Sequence, residues 1–202
     1  MKKVNLSIIV LSMLVLFGLP AHAQKFHYGI KAGSNFAVQS GIAEYYDNSN
    51  IRVGLHAGLM GSYQLKDNMM LQAEVNYEQA GAKSDIITKK YDYVSIPILY
   101  DYSFGKTYHT NLRVHLNAGP YVSYLINAKS VLDEDSNPIT TDVIDDSNKA
   151  EVGAAMGIGL IQPIGKHYLS MDIRLNLGLN NFSKDDNQSH NKMIGLYLGY
   201  VL

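Results

Sequence analysis

The stretch from Ala150 to Asn180, AEVGAAMGIGLIQPIGKHYLSMDIRLNLGLN, constrains the fold more than any other. Val152, Ala154, Met156, Ile158 and Leu160 share one parity, while Gly153, Ala155, Gly157 and Gly159 share the other. Beyond Pro163-Ile164-Gly165-Lys166-His167, Leu169, Met171, Ile173, Leu175, Leu177 and Leu179 alternate with Ser170, Asp172, Arg174, Asn176 and Gly178. A period of two belongs to strands, so the segment reads as a β-hairpin. One face is purely aliphatic; the other carries charge and amides among glycines. Two folds accept such a hairpin: a soluble sandwich that wets the mixed face, or a membrane barrel that turns the aliphatic face to lipid.

The remainder of the chain favours the barrel. The same alternation recurs from Phe26 to Phe36, Arg52 to Leu65, Met69 to Glu78, Tyr91 to Phe104, Leu112 to Ile126 and Lys192 to Leu202. With the hairpin this predicts an all-β, eight-stranded antiparallel up-and-down transmembrane β-barrel. The connections after the second, fourth and sixth strands are short. Those after the first, third, fifth and seventh are longer and polar, the longest running from about Asn127 to Lys149. Short periplasmic turns alternating with longer extracellular loops are the rhythm of outer-membrane barrels. Each strand is long enough to cross a bilayer at the usual tilt. Eight strands enclose an interior that side chains fill, which disfavours a wide pore.

Aromatic residues of the apolar parity gather near strand ends. Phe26, Tyr28, Tyr63, Tyr102, Phe104 and Tyr200 fall on the short-turn side; Phe36, Tyr77, Tyr124 and Phe182 fall on the long-loop side. Two such girdles mark the membrane interfaces. Pro97 and Pro120 cannot donate to a ladder, so a bulge or local break is expected at each.

The chain begins with Lys2 and Lys3, an apolar run from Leu6 to Leu19 and the small-x-small site Ala21-His22-Ala23. This reads as a secretory signal peptide, residues 1–23, leaving a single domain over 24–202. The alternative, an uncleaved anchor, requires a longer apolar run. Losing both lysines takes the charge from 17 basic against 18 acidic to 15 against 18, or −3. That balance offers no basic surface for nucleic acid. Cysteine is absent, so disulfides and thiolate chemistry are excluded.

The parity opposite the aliphatic one is charged. Lys31, Arg52, Arg113 and Arg174 stand against Glu74, Glu78, Asp101, Glu151 and Asp172, with His115 among them. Near balance suits a closed lumen in which charges pair, because unpaired buried charge is costly. A structural charge plug is therefore expected in preference to an ion or substrate path. Simple hairpin pairing puts Asp101 opposite Arg113. Lys31 and Glu74 fall in one layer, and Asp172 and Arg174 at similar height on the seventh strand.

A lipid-modifying barrel enzyme, a hydrolase or acyltransferase, is the alternative. Ser95, Ser123, His56 and His115 share the inward parity with Asp101, and Ser, His and an acid are the parts of acyl transfer. No Gly-x-Ser-x-Gly elbow is present, so no catalytic residue is assigned. Asp133-Glu134-Asp135-Ser136-Asn137 has the start of a calcium loop, but Pro138 replaces the expected glycine and Ile144 the terminal Glu. It reads as a solvated acidic loop, like Asp185-Asp186-Asn187. No metal and no cofactor is expected.

Four segments carry a resemblance to a known group. They are Gly29-Ile30-Lys31-Ala32-Gly33-Ser34-Asn35-Phe36, Tyr93-Val94-Ser95-Ile96-Pro97-Ile98-Leu99-Tyr100, Ala118-Gly119-Pro120-Tyr121-Val122-Ser123-Tyr124-Leu125 and Gly195-Leu196-Tyr197-Leu198-Gly199-Tyr200. In this order they resemble the PorT-like outer-membrane β-barrel family, both prolines included. The chain departs from the family pattern at Asp101, where a basic residue is common, and at Leu202, where an aromatic is common. The resemblance implies an outer-membrane location and a structural or interaction role, with an accessory part in protein secretion or envelope function. The partners it implies are outer-membrane lipid, the barrel-assembly machinery during biogenesis and an envelope or secretion-system protein.

Overall fold

The computed structural model describes residues 26–39, 52–83, 87–104, 112–132, 139–142, 148–180 and 191–202. They form nine strands: β1 (Phe26–Gln39), β2 (Arg52–Lys66), β3 (Met69–Lys83), β4 (Ile87–Ser103), β5 (Arg113–Leu132), β6 (Ile139–Asp142), β7 (Ala150–Ile164), β8 (His167–Gly178) and β9 (Asn191–Val201). The sheet runs β4-β3-β2-β1-β9-β8-β7-β5, and β4 pairs with β5 to close it. Eight strands thus make the expected barrel, every neighbouring pair antiparallel.

The strand order fixes the barrel geometry. One row of paired residues runs Phe26, Tyr63, Leu71, Tyr100, Ala118, Met156, Leu175, Ile194 and arrives at Phe36, ten residues along the strand where it began. With about 3.3 Å per residue and about 4.8 Å between strands, that shear tilts the strands by roughly 40°. The row is wholly apolar and faces outward, as the exposure of Phe26, Leu71, Tyr100, Met156, Ile194 and Phe36 records.

The expected girdles face outward too: Phe26, Tyr28, Tyr63, Phe104 and Tyr200 at one end, Phe36, Tyr77 and Tyr124 at the other. Phe182 lies outside the described residues. The short hairpin between β7 and β8 turns on Gly165 and Lys166, with Gly165 at φ 63°. A Gly-first two-residue turn needs that left-handed φ to match the strand twist.

Two features differ from the sequence reading, and a third agrees with it. The fifth strand does not stop at Ile126; β5 continues to Leu132, β3 to Lys83, and β4 begins at Ile87 rather than Tyr91. Within the expected Asn127–Lys149 loop, β6 pairs with the outer end of β5. Backbone ladders persist where the hydrophobic alternation ends, because main-chain hydrogen bonds do not depend on side-chain pattern. Second, the β4–β5 register slips between Asp92 and Tyr93, so burial passes from Leu125 to Ala128. Third, the local breaks expected at Pro97 and Pro120 are present, without a register change. Direct pairing lapses between Pro97–Tyr121 and Tyr100–Ala118, and between Ala73–Ile98 and Asn76–Ser95, then resumes in the same register. Towards β7 the Pro120 position pairs without interruption.

The lumen is layered rather than uniformly polar. Near the short turns Met70, Ile161 and Tyr168 cluster, with Val201 packed on them. Towards the long loops Tyr91, Tyr93, Leu125, Ala128 and Met193 form another apolar cluster with Ala37 and Ala80. The charged layer lies between.

Candidate functional site

Glu74, on β3, is the hub of the charged layer. Its two oxygens accept five hydrogen bonds. Arg174 on β8 gives two, Nη1 to Oε2 at 2.8 Å and Nη2 to Oε1 at 3.0 Å. Lys31 on β1 gives one at 2.7 Å, and Gln72 and Asn76, two residues either side of Glu74, give the others at 2.5 and 2.8 Å. Two-residue spacing keeps all three β3 side chains on one face. A forked guanidinium on a carboxylate is among the stronger hydrogen-bonded pairs. Lys31 and Glu74, expected in one layer, are direct partners.

The network continues through Asp172. Lys31 Nζ lies 3.7 Å from Asp172 Oδ2, and Asn117 on β5 donates to Asp172 Oδ1 at 3.1 Å. His115 bridges two carboxylates, Nδ1 to Asp101 Oδ2 at 2.5 Å and Nε2 to Asp172 Oδ1 at 3.3 Å. Lys31, Glu74, Asp101, His115, Asp172 and Arg174 are all buried. Residues from β1, β3, β4, β5 and β8 therefore meet across the full width of the lumen. Asp172 and Arg174 share this layer as the parity of β8 requires.

Glycine makes the crossing feasible. On β7 a Cβ at Gly153 would strike the Tyr121 ring, one at Gly157 would lie 2.9 Å from Asn117 Oδ1, and one at Gly159 would strike His115 Nε2. Each of those side chains comes from the residue of β5 paired with that glycine. The smooth β7 face is thus the floor over which β5 side chains reach the network.

The other charged residues lie outside this layer. The true β4–β5 register sets Asp101 opposite Asn117 and Ser103 opposite His115, so the Asp101–Arg113 pairing is not formed. The ladder closes with Phe104 N donating to Val114 O, which leaves a longer connection than simple hairpin counting allows. Arg113 is buried nearer the short turns, opposite Ile161. Glu78 stands towards the long loops, its Oε1 3.4 Å from His56 Nδ1. Glu151 accepts a hydrogen bond from Tyr121 at 2.6 Å. Arg52 is half-buried at the start of β2, its Nη1 3.0 Å from where a Cβ on Gly81 would sit, in the field of Asp92.

Sequence reasoning missed Tyr197. It is wholly buried, stacks on His56 at 3.9 Å between centroids and lies beside Arg174 and Lys31 at 5.6 and 5.9 Å. Its hydroxyl donates to Asn35 Oδ1 at 2.9 Å. The signal was present: Tyr197 has the inward parity of β9 and is flanked by Gly195 and Gly199. A Cβ at Gly195 would strike the Tyr197 ring, and one at Gly33 would lie 2.9 Å from its Cδ1.

The serines and histidines weighed for acyl transfer are not assembled. Ser95 and Ser123 face each other across β4 and β5, and Ser95 Oγ has no hydrogen-bond partner among the described residues. Both histidines are engaged with carboxylates, and all four side chains lie in the lumen. Asp133–Asn137 and Asp185–Asn187 lie outside the described residues.

The profile described as "Outer membrane protein beta-barrel domain" matches residues 22–184. No curated protein matches in sequence. Among solved structures the chain is similar to Neisserial surface protein A, at 15% identity over 86% of this chain and 95% of that one, with a TM-score of 0.52. It is also similar to the N-terminal β-barrel domain of Pseudomonas aeruginosa OprF, at 14% identity over 87% and 97% with a TM-score of 0.42. A third is Ail, the attachment invasion locus protein of Yersinia pestis, at 13% identity over 89% and 100% with a TM-score of 0.47. At such identities a structural likeness speaks for the fold alone.

Proposed function

We propose that this chain, which belongs to the outer-membrane protein β-barrel family, acts as a closed, membrane-embedded platform rather than as a channel. The observation that carries the reading is the Glu74-centred network spanning the lumen, with an apolar cluster on either side of it. An ion would have to break those bonds to pass. Partner engagement is assigned to the long-loop end. There β3, β4 and β5 outlast the apolar rows, and with β6 they form a ledge about 20 Å long beyond Ile126. Lys90 and Lys129 pair across this ledge and are exposed, as are Thr140 and Thr141.

The likeness to the PorT-like family directs the partner search to protein secretion. Lipid modification is the weaker reading, since lipid reaches only the outer face and the candidate serines and histidines point inward. In planar bilayers the purified protein is expected to give no steady conductance. A stable open level in the intact protein would overturn the platform. Photocrosslinking from Lys129 positions in membranes tests the ledge, with a discrete envelope-protein adduct expected there and none from Leu169 near the short turns.

A further inference from the structure

His115 is the member of the charged layer whose charge neutral pH does not fix by itself. Its ring is buried and lies between two carboxylates. Asp101 Oδ2 is 2.5 Å from Nδ1, and Asp172 Oδ1 is 3.3 Å from Nε2. A neutral imidazole carries one N–H and one lone pair. In either tautomer its bare nitrogen would face a carboxylate oxygen and repel it. No donor among the described residues reaches Nε2, so a lone pair there would also be left unsatisfied. The imidazolium alone turns an N–H towards each acid.

The surrounding strands supply no substitute for that charge at Nε2. On β8, Arg174 is bonded to Glu74 of β3. On β1, Lys31 is bonded to the same Glu74 at 2.7 Å and stands 3.7 Å from Asp172, at its other oxygen. On β7 the residue paired with His115 is Gly159, and on β4 it is Ser103; neither brings a charge. Arg113, two residues along β5, is buried nearer the short turns, opposite Ile161. His27 of β1 and Tyr168 of β8 pack edge to face at 5.6 Å, and with His115 they line a cavity of about 30 Å³, room for water.

The ring also sits beside a weak seam. Direct β4–β5 pairing lapses between Pro97–Tyr121 and Tyr100–Ala118, and Asp101 is the next residue of β4. From β5, His115 reaches Asp101 on β4 and, over the glycine face of β7, Asp172 on β8.

We propose that His115 is held as an imidazolium in the folded barrel and acts as a proton-operated clasp between β4 and β8. When the proton leaves, the shorter contact, to Asp101, keeps the remaining N–H. The clasp then releases at Asp172, which faces a lone pair. Its contribution to stability is present while the proton is held and is lost as pH rises. The clasp stands independently of the platform reading.

The test uses the full barrel in maltoside micelles with ¹⁵N-labelled histidine. The His115 ring is assigned through its contact with Gly159, where an added Cβ would strike Nε2. At about pH 7.5, where an unperturbed histidine is about nine-tenths neutral, both ring nitrogens of His115 should carry protons. Asp172→Asn removes the second acid and should return His115 to a single proton at that pH. In lipid vesicles the urea midpoint of the unaltered barrel should fall as the pH is raised to about 10, and it should fall less in His115→Gln. Heat-modified gel mobility shows that each variant is folded. A bare nitrogen on His115 at about pH 7.5 overturns the proposal, and that spectrum needs no variant. It fails equally if folded Asp172→Asn keeps both protons, or if folded His115→Gln loses as much stability on the alkaline side as the unaltered barrel.

Discussion

Asp172, Ile173 and Arg174 are consecutive on β8, yet they live in different media. Ile173 is 52% exposed on the outer face, where lipid meets the barrel. Asp172 and Arg174 are 1% and 2% exposed and bonded across the lumen. The outer face is stabilised by many interchangeable apolar side chains, none with a specific partner. The inner face is stabilised by few residues with many partners each. Position by position, substitution should therefore be felt very differently one residue apart.

The largest effect is expected at the hub. Glu74→Ala leaves Lys31 and Arg174 as buried cations without their main acceptor, which costs about 3–5 kcal/mol. Denaturant unfolding in lipid vesicles measures it, followed by circular dichroism because the chain has no tryptophan. On the outer face, Ile173→Arg at the same height should cost about 2–4 kcal/mol, the depth-dependent penalty for a cation facing hydrocarbon. Ile173→Leu, which changes no medium, should move stability by about 0.5 kcal/mol or less. Between these lies Tyr197→Phe, which removes only the hydrogen bond to Asn35 and should cost about 1 kcal/mol. If Ile173→Leu cost as much as Tyr197→Phe, the contrast between distributed and concentrated stabilisation would be lost.

The two faces also differ in how legible they were. The outer face is a pattern, and a pattern needs one sequence. Parity alone gave the strand count, the lipid-facing residues, and the girdles at Phe26, Tyr63 and Tyr124. The inner face is a set of pairings between strands, and these depend on register. Lys31 and Glu74 were placed in one layer, and the ladders bring them together because β1–β2 has no register shift and β2–β3 shifts only at its turn, between Gln64 and Lys66. Asp101 was assigned to Arg113 because the β4–β5 connection was counted too short; its actual neighbour is His115.

The outer limits of β3, β4 and β5 were hidden for a different reason. Their last residues pair through the backbone, which leaves no hydrophobic alternation to read. The Asp92–Tyr93 slip was hidden likewise, since a bulge changes parity without changing composition. Tyr197 was overlooked because its alternation was read only for the apolar side.

A double-mutant cycle on Glu74 and Arg174 tests the concentrated network most directly. Glu74→Ala, Arg174→Ala and the double variant are unfolded under one set of conditions in the same vesicles. The account predicts a coupling of about 2 kcal/mol or more, the double variant being far less damaged than the two single losses together. Additivity to within about 0.5 kcal/mol would contradict it, and would mean that the two side chains share the lumen without holding it together.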